Sequence, residues 1–188
     1  MNSTRSITSA YQAHLRRKVT AVIWSLRIVA CIYTAWVFWL IVLPVRDRPA
    51  FLERLGHYWQ RDLQGVTDGQ LWSALSLNLV LWSLLLAAVL CVWQASRHLL
   101  QNMCIGPATS LWLQRGAWFG LSSSLLGLLF SPLMSYFYTL HLEPALQLWR
   151  WEFHPNFLMD VLTCGLLLMV AHLMTWMSEI AEENKAFV

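Results

Sequence analysis

The sequence predicts an all-α integral membrane protein, a four-helix bundle with an extra amphipathic interfacial helix. Three observations support this fold class. Apolar residues make up 57% of the 188 residues and charged residues only 12%, whereas soluble domains are about half apolar and about a quarter charged. Four apolar runs are long enough to cross a hydrocarbon core of about 30 Å. Tryptophan and tyrosine concentrate near the ends of these runs, as expected at a membrane–water interface.

Length and charge narrow the possible classes further. A chain of 188 residues predicts a single membrane domain over 1–188. The net charge of +3 is small, and nucleic-acid binding needs a concentrated basic patch, so we expect no nucleic-acid partner. The four cysteines, none in CxxC spacing, predict small buried hydrophobic residues rather than disulfides; they are Cys31, Cys91, Cys104 and Cys164.

The first apolar run follows a polar, basic segment, Met1–Lys18. The run Val19–Leu43 is 25 residues long, whereas the apolar part of a signal peptide has about 7–15 residues. It also ends at Pro44 without a small-residue cleavage site. We therefore predict a first membrane span over about 19–43 rather than a signal peptide.

A polar segment with helical periodicity follows the first span. Over about 50–63, Leu52, Leu55 and Trp59 recur on one face, and charged residues occupy the other. Pro49 suits a helix start and Gly65 a helix stop. The pattern predicts an outer amphipathic helix over about 50–63, which either lies on the bilayer surface or docks on the protein itself.

The rest of the chain completes the four-span layout. We predict spans over about 71–93, 117–138 and 157–177, an inner loop over 96–116, and an acidic tail over 178–188. An even number of spans places both termini on the same side of the membrane. With the N-terminus inside, the inner segments hold seven Lys and Arg residues and the outer segments five, so the positive-inside rule favours cytoplasmic termini.

Small residues form one stripe along the third span. They recur at helical spacing at Gly116, Gly120, Ser124, Gly127 and Ser131. Helices in lipid associate where small residues allow close backbone approach. The stripe therefore predicts a helix-packing face, whose partner is either another helix of this chain or a second copy in a homodimer.

Ionisable residues at the inner ends of the first and fourth spans are functional candidates, because such groups are costly in lipid. Arg27 lies on the first span, His172 and Glu179 lie two turns apart on the fourth, and Glu183 continues that face. Three interpretations stay open: an Arg27–Glu179 ion pair, an arginine that reaches the surface, or a functional site.

A second polar set lies at one level near the outer side. Asn78 lies on the second span and Asp160 on the fourth, with Ser135 and Tyr138 close to the same depth. This set predicts either solvated residues at the membrane boundary or a proton or ion site.

The sequence predicts no cofactor, no metal site and no catalytic residue. His98 and His172 both lie toward the inner side, where two histidines on facing helices could ligate haem, and the fourth span is rich in methionine, a soft metal ligand. However, the spans hold no HxxxH pair, and the chain has no CxxCH motif. We also find no convincing pair of nucleophile and base, so we expect a protein that is not an enzyme.

Two short motifs carry a resemblance to a known family. The inner loop contains Arg97, a break at Gly106, Thr109 and then Leu113-x-Arg115-Gly116, and the chain ends in SEIAEENKAFV. Over roughly 77–188 the chain resembles the bacterial family of small four-span membrane proteins called domain of unknown function twenty-nine seventy-five. Where that family usually has a Phe before the Ser/Thr of the loop, this chain has Gly106-Pro107-Ala108. The resemblance implies a bacterial inner membrane protein and hints at a sensory or regulatory accessory role.

Three hypotheses for function follow. The first is a non-enzymatic accessory, sensory or regulatory subunit that contacts a membrane or cytoplasmic protein through Arg97, His98, Arg115 and the acidic tail. The second is a small ion-coupled transporter or channel that uses Arg27, Asp160, His172 or Glu179. The third is a haem- or copper-binding membrane subunit. In all three the bilayer is the first partner.

Overall fold

The computed structural model describes residues 2–102, 107–152 and 155–186. Within these ranges the chain is all-helical and has no strand, which confirms the predicted fold class. The helices are α1 (Asn2–Arg46), α2 (Arg48–Trp59), α3 (Asp68–Asn102), α4 (Pro107–Thr139) and α5 (Pro155–Ala186).

Four of the described helices are long and apolar enough to cross a membrane. Their candidate spans are Arg17–Arg46, Asp68–Gln101, Pro107–Thr139 and Phe157–Ile180. Eight tryptophans expose about half or more of their surface: Trp24, Trp36, Trp39, Trp72, Trp118, Trp149, Trp151 and Trp176. Such rings suit lipid and headgroup contact. The chain is a multi-pass membrane protein.

The helices extend beyond the predicted spans at the α3–α4 connection. α3 continues to Asn102 and α4 already begins at Pro107, so most of the predicted inner loop 96–116 is helical. Hydropathy indicates only the apolar part of a helix. The backbone hydrogen bonds of the helix can continue through the polar residues on either side, so the helix is longer than the apolar run. Pro107 stands at the first helical position, where its missing N–H costs nothing. The predicted break at Gly106 and the thiol of Cys104 lie outside the described residues.

The four long helices pack in chain order. α1 packs on α3, α3 on α4, and α4 on α5, whereas α1 and α5 do not touch within the described ranges. The result is an open crescent with α1 and α5 at its two margins. We call the end that carries α2 and residues 140–152 the loop end. The opposite end, which carries the start of α1 and the end of α5, is the terminal end.

α2 docks on the protein, which is one of the two alternatives that its periodicity left open. Leu52 and Gly56 are buried, and Phe51, Leu55 and Trp59 pack on a buried cluster. That cluster consists of Leu52, Leu63, Val66, Leu71, Ala74, Leu75 and Tyr138. It joins α2 to the start of α3 and the end of α4 and closes the loop end of the crescent.

α2 ends at Trp59, short of the predicted end near residue 63 and the predicted stop at Gly65. Gln60 adopts a left-handed conformation with φ of 54° and caps the helix. The amide of Arg61 then donates to the carbonyl of Gly56 at 3.0 Å, which satisfies a helix-end acceptor. A Cβ at Gly56 would lie 2.6 Å from the Arg61 carbonyl oxygen, so this turn requires glycine there.

Side-chain hydrogen bonds fix the start of α3. The backbone amide of Thr67 donates to the side chain of Gln70 at 2.8 Å, and the amide of Gln70 donates to the Thr67 hydroxyl at 3.4 Å. This reciprocal pair is a capping box, which satisfies two donors at a helix start. Arg48 of α2 pairs with Asp68 and also donates to the Val66 carbonyl, which ties α2 to this start.

Candidate ligand-binding cleft

The small-residue stripe of α4 divides between two helix neighbours. A Cβ at Gly116 would lie 3.3 Å from the Ala88 carbonyl oxygen and 3.2 Å from Cβ of Cys91, both on α3. A Cβ at Gly120 would lie 2.8 Å from the sulfur of Cys164 on α5. Both glycines therefore lie at interfaces within the chain, where the backbones approach closely.

The rest of the stripe forms the floor of a cleft. Toward the loop end, α1 and α5 stand apart and leave a cleft of about 900 Å³ above α3 and α4. Ser124, Gly127 and Ser131 line it together with Gly120. The α4 lining runs from Gly120 to Tyr138, about 27 Å at the helical rise per residue. The stripe thus serves helix packing at Gly116 and Gly120 and provides an open floor beyond them.

The outer polar set largely meets in this cleft. Asn78 and Asp160 both line it, and so does Tyr138. Asn78 is half-buried and donates to the Ala74 carbonyl at 3.2 Å, within its own helix. Asp160 is exposed and lies three residues inside its candidate span, near the membrane boundary. Ser135 does not join the cleft, because it is buried under residues 148–152.

The described lining is acidic and aromatic. Asp160 and Glu152 are its two carboxylates, and it contains no Lys, Arg or His. Six aromatic side chains complete the walls: Tyr33, Phe51, Trp59, Trp82, Tyr138 and Phe157. The cleft therefore combines negative charge with aromatic faces.

An aromatic cluster forms the loop-end wall of the cleft. The ring of Tyr138 lies 5.9 Å from that of Trp59 and 6.1 Å from that of Phe51. The indole N–H of Trp59 donates to Oε1 of Glu152 at 3.1 Å. A carboxylate and an aromatic face are thus held together at this wall.

A ladder of hydroxyl groups positions Glu152. On one face of α4 three side-chain oxygens accept backbone N–H groups of the connection: Ser131 from Glu152 at 3.2 Å, Ser135 from Arg150 at 3.1 Å, and Thr139 from Leu148 at 2.9 Å. Four residues along a helix advance about 6.0 Å, and two residues of extended chain about 6.6 Å. The matching rise allows residues 148–152 to run antiparallel along α4 with an acceptor for every second amide.

Trp82 forms a polar contact on the α1 side of the cleft. Its indole N–H donates to the carbonyl of Thr34 on α1 at 3.2 Å, and its ring lies 5.0 Å from that of Phe38. The Thr34 hydroxyl donates to the Ala30 carbonyl at 2.5 Å. An indole donor that satisfies a carbonyl of the next helix fixes α1 beside α3 at mid-span depth.

Arg27 is bound to α3 and does not pair with Glu179, which was one of the three interpretations left open by the sequence. Its Nη2 donates to the Ser96 hydroxyl at 2.8 Å and to the Trp93 carbonyl at 3.3 Å. Its guanidinium lies 4.7 Å from the ring centre of Trp93 and 5.5 Å from that of Trp24. The ion pair does not form because α1 and α5 lie at opposite margins of the crescent. Arg27 joins α1 to α3.

The other candidates lie toward the terminal end and do not form a common site. Arg97 is exposed, His98 is half-buried, and Arg115 is exposed with its guanidinium 5.2 Å from the ring centre of Trp112. On α5, His172 is exposed and donates from Nδ1 to the Leu168 carbonyl of its own helix at 2.9 Å.

The remaining candidates at the terminal end are two glutamates and the pair of histidines considered as metal ligands, and none of them forms a site with another in the described part of the chain. Glu179 and Glu183 are exposed. The two histidines considered as haem ligands, His98 and His172, lie on α3 and α5, which are not neighbours in the described structure. The described residues contain no group of three or more His, Cys, Asp or Glu placed to hold a metal ion.

Sequence reasoning missed a polar contact between α4 and α5 near the terminal end. The Thr175 hydroxyl donates to the Ser110 hydroxyl at 3.1 Å and also lies 3.1 Å from the Ala171 carbonyl. The Gln114 amide donates to Thr175 at 3.5 Å. The sequence did contain a signal for this contact, because Ser110 and Thr175 are polar residues that each lie about one turn from the end of a candidate span.

Comparison with known proteins adds no assignment. A scan against models of protein families, a search of curated proteins and a search of solved structures each gave no match to this chain. The resemblance to the domain of unknown function stays a prediction that rests on the loop and tail motifs. Fold and cleft together define a multi-pass helical membrane protein with a cavity that opens between its marginal helices.

Proposed function

We propose that the protein is a non-enzymatic membrane receptor that binds a small amphipathic molecule in the cleft between α1 and α5. The observation that carries this proposal is the cleft itself. Its volume of about 900 Å³ falls within the range of about 300–1,000 Å³ found for small-molecule sites. Its lining is mostly apolar with a few polar groups, which is the usual composition of such sites.

The polar part of the lining favours an amphipathic molecule over an acyl chain alone. A groove that held only lipid tails would gain nothing from Asn78, Asp160 and Glu152, whose polar groups are costly beside hydrocarbon. Asp160 and Tyr138 lie near the ends of their spans, whereas Gly120 lies deeper. A molecule with a polar head near the membrane boundary and an apolar tail along α4 matches this gradient.

The gap between α1 and α5 also provides an entry path from the bilayer into the cleft. α1 and α5 do not touch in the described structure, so the cleft is open between the two margins of the crescent. An amphipathic molecule dissolved in the bilayer can therefore enter sideways without leaving the membrane.

Photolabelling tests this proposal directly. Decanol that carries a diazirine on its chain is a neutral amphipathic probe, and its adducts on the protein in lipid nanodiscs can be mapped by peptide mass spectrometry. We expect adducts concentrated on the cleft residues Trp59, Trp82 and Tyr138. Adducts spread evenly over the exposed faces of α1 and α5 would overturn the proposal.

Two glycine variants provide a matched pair for this experiment. Gly127 forms part of the floor, and a Cβ there would come no nearer than 3.9 Å to Leu81, so Gly127→Phe fills the cleft without a backbone clash. Gly165 lies on exposed α5 surface with nothing within 4 Å of a Cβ. We expect Gly127→Phe to abolish the cleft adducts and Gly165→Phe to leave them unchanged.

A second proposed element is a protein partner at the terminal end, which we take to face the cytoplasm of a bacterial cell. The exposed guanidinium groups of Arg97 and Arg115 and the exposed carboxylates of Glu179 and Glu183 support it, as does the family resemblance. Charge reversal at Arg97 and Arg115 should remove partners that co-purify with the wild type in mild detergent. Recovery of the same partners would exclude this surface.

An ion-coupled transporter is the alternative use of the same cleft. It would also have to open toward the terminal end, where Gly116 and Gly120 hold α4 against α3 and α5. Ligand-dependent ion flux into sealed liposomes separates the two functions, because a receptor binds its ligand without flux.

A further inference from the structure

We infer that the molecule bound in the cleft is an organic cation with an apolar tail. This inference rests on the proposed function and names the chemical class of its ligand. A quaternary or substituted ammonium head on an alkyl chain is the simplest member of the class.

The charge of the described lining is the first argument. It presents the carboxylates of Asp160 and Glu152 and no basic side chain. Asp160 forms no hydrogen bond or ion pair with any described residue, although it lies within a candidate span. A carboxylate at the membrane boundary that has no such partner among the described residues would be stabilised by a positively charged ligand. The same charges repel an anion.

The aromatic walls are the second argument. A cation is attracted to the face of an aromatic ring within about 6 Å of its centre, and groups of such rings recognise quaternary ammonium ions. At the loop-end wall the ring centres of Phe51 and Trp59 each lie about 6 Å from that of Tyr138. Trp59 in turn holds Glu152 by a hydrogen bond. A cationic head at this wall would therefore lie beside aromatic rings and close to a carboxylate.

The depth of these groups gives the ligand an orientation. The aromatic cluster and Asp160 lie near the loop end of the cleft, and the deeper lining is formed by Leu85, Gly120 and Leu128. The head therefore lies at the membrane boundary and the tail follows the floor of α4. An organic cation also fits better than a metal ion, since the described residues offer no group of three metal ligands.

A set of three ten-carbon amphiphiles tests charge selectivity at one site. The photolabel is the decanol diazirine, and the competitors are decyltrimethylammonium and decanesulfonate, each below its micelle-forming concentration. We expect decyltrimethylammonium to suppress the cleft adducts at a concentration at least about tenfold lower than decanesulfonate, as one close charge pair would give.

Asp160 variants assign the selectivity to the cleft. Asp160→Asn should raise the half-suppressing concentration of decyltrimethylammonium about tenfold, and Asp160→Glu should keep it near the wild-type value. Glu53→Gln removes an exposed carboxylate of α2 that does not line the cleft, and it should have no effect. If Asp160→Asn fails to fold, the comparison of the two competitors on the wild type still decides the inference.

The outcomes separate the two proposals. Equal suppression by the cation and the anion, or unchanged suppression in Asp160→Asn, overturns the cationic ligand while the cleft remains a binding site. Absence of cleft adducts from the neutral probe overturns the binding function itself. Suppression by the cation alone that depends on Asp160 supports both.

Discussion

The indole N–H of Trp59 donates to Oε1 of Glu152 at 3.1 Å, although 93 positions separate the two residues in the chain. This hydrogen bond joins α2 to the connection between α4 and α5. It also places an acidic group beside the aromatic cluster of Phe51, Trp59 and Tyr138. Two segments that lie outside the long helices therefore contribute to the loop end of the cleft.

Trp59→Phe tests this junction. An aromatic side chain is kept but the indole N–H donor is lost, so we expect faster amide hydrogen exchange in 148–152. The free energy of unfolding should fall by about 1.5–3 kcal/mol, typical for a hydrogen bond to a charged group. Trp72→Phe is the matched control, since Trp72 is 59% exposed on α3. Equal exchange in wild type and Trp59→Phe would show that the hydrogen bond does not hold the connection.

The hydroxyl ladder predicts an ordered set of effects. Thr139→Val should leave the amide of Leu148 without its acceptor, and Ser135→Ala should do the same to Arg150. Both hydrogen bonds are part-buried, so the loss of either should lower the free energy of unfolding by about 0.5–1.5 kcal/mol, the usual net contribution of one hydrogen bond. Hydrogen exchange should accelerate mainly at the amide that loses its acceptor.

Ser83→Ala is the control for the ladder, because the Ser83 hydroxyl donates only to the Val80 carbonyl of its own helix and is exposed. It should change neither stability nor exchange in 148–152. If Thr139→Val accelerated hydrogen exchange equally at all amides of 148–152, the three hydrogen bonds of the ladder would not act independently.

Gly116 predicts a packing effect. A Cβ would lie 3.3 Å from the backbone oxygen of Ala88, and a backbone atom cannot move away as a flexible side chain can. Gly116→Val should force α3 and α4 apart and cost about 1–3 kcal/mol, measured by unfolding in mixed micelles of increasing SDS content. Gly165→Val, where a Cβ meets nothing within 4 Å, should stay near wild type.

Arg27 predicts a difference between two basic side chains. Arg27→Lys keeps the charge but loses the planar group that lies near Trp93 and donates to Ser96. We expect a loss of stability of about 1–2 kcal/mol. Arg46→Lys, whose guanidinium lies 5.3 Å from the ring centre of the exposed Trp39, should cost less. Equal stability of Arg27→Lys and wild type would show that only the positive charge at this position matters and that the planar guanidinium does not.

The level of a residue along the helix bundle could be predicted from sequence, but the rotation of each helix about its axis could not. Asn78, Tyr138 and Asp160 were placed at one level by counting residues, because each residue adds a fixed rise. Whether a side chain at that level meets a cavity depends on which helices are neighbours. Ser135 lies at the same level and turns instead toward residues 148–152.

The order of packing and the path of the connection required the structure. An apolar helix matches any other apolar helix in hydropathy, so nothing in the sequence separates α1 on α3 from α1 on α5. The Arg27–Glu179 hypothesis depended on that choice. Trp59 and Glu152 were missed for a related reason, since their meeting depends on the course of two irregular segments.

The packing order of the crescent also bears on biosynthesis. Each long helix contacts only the span before it and the span after it within the described structure. A ribosome delivers these spans one at a time, so each interface can form as soon as its second helix has entered the bilayer. The first span does not depend on the last span for its packing partner. Assembly of this protein is therefore expected to keep pace with translation, as is usual for topologies rich in local contacts.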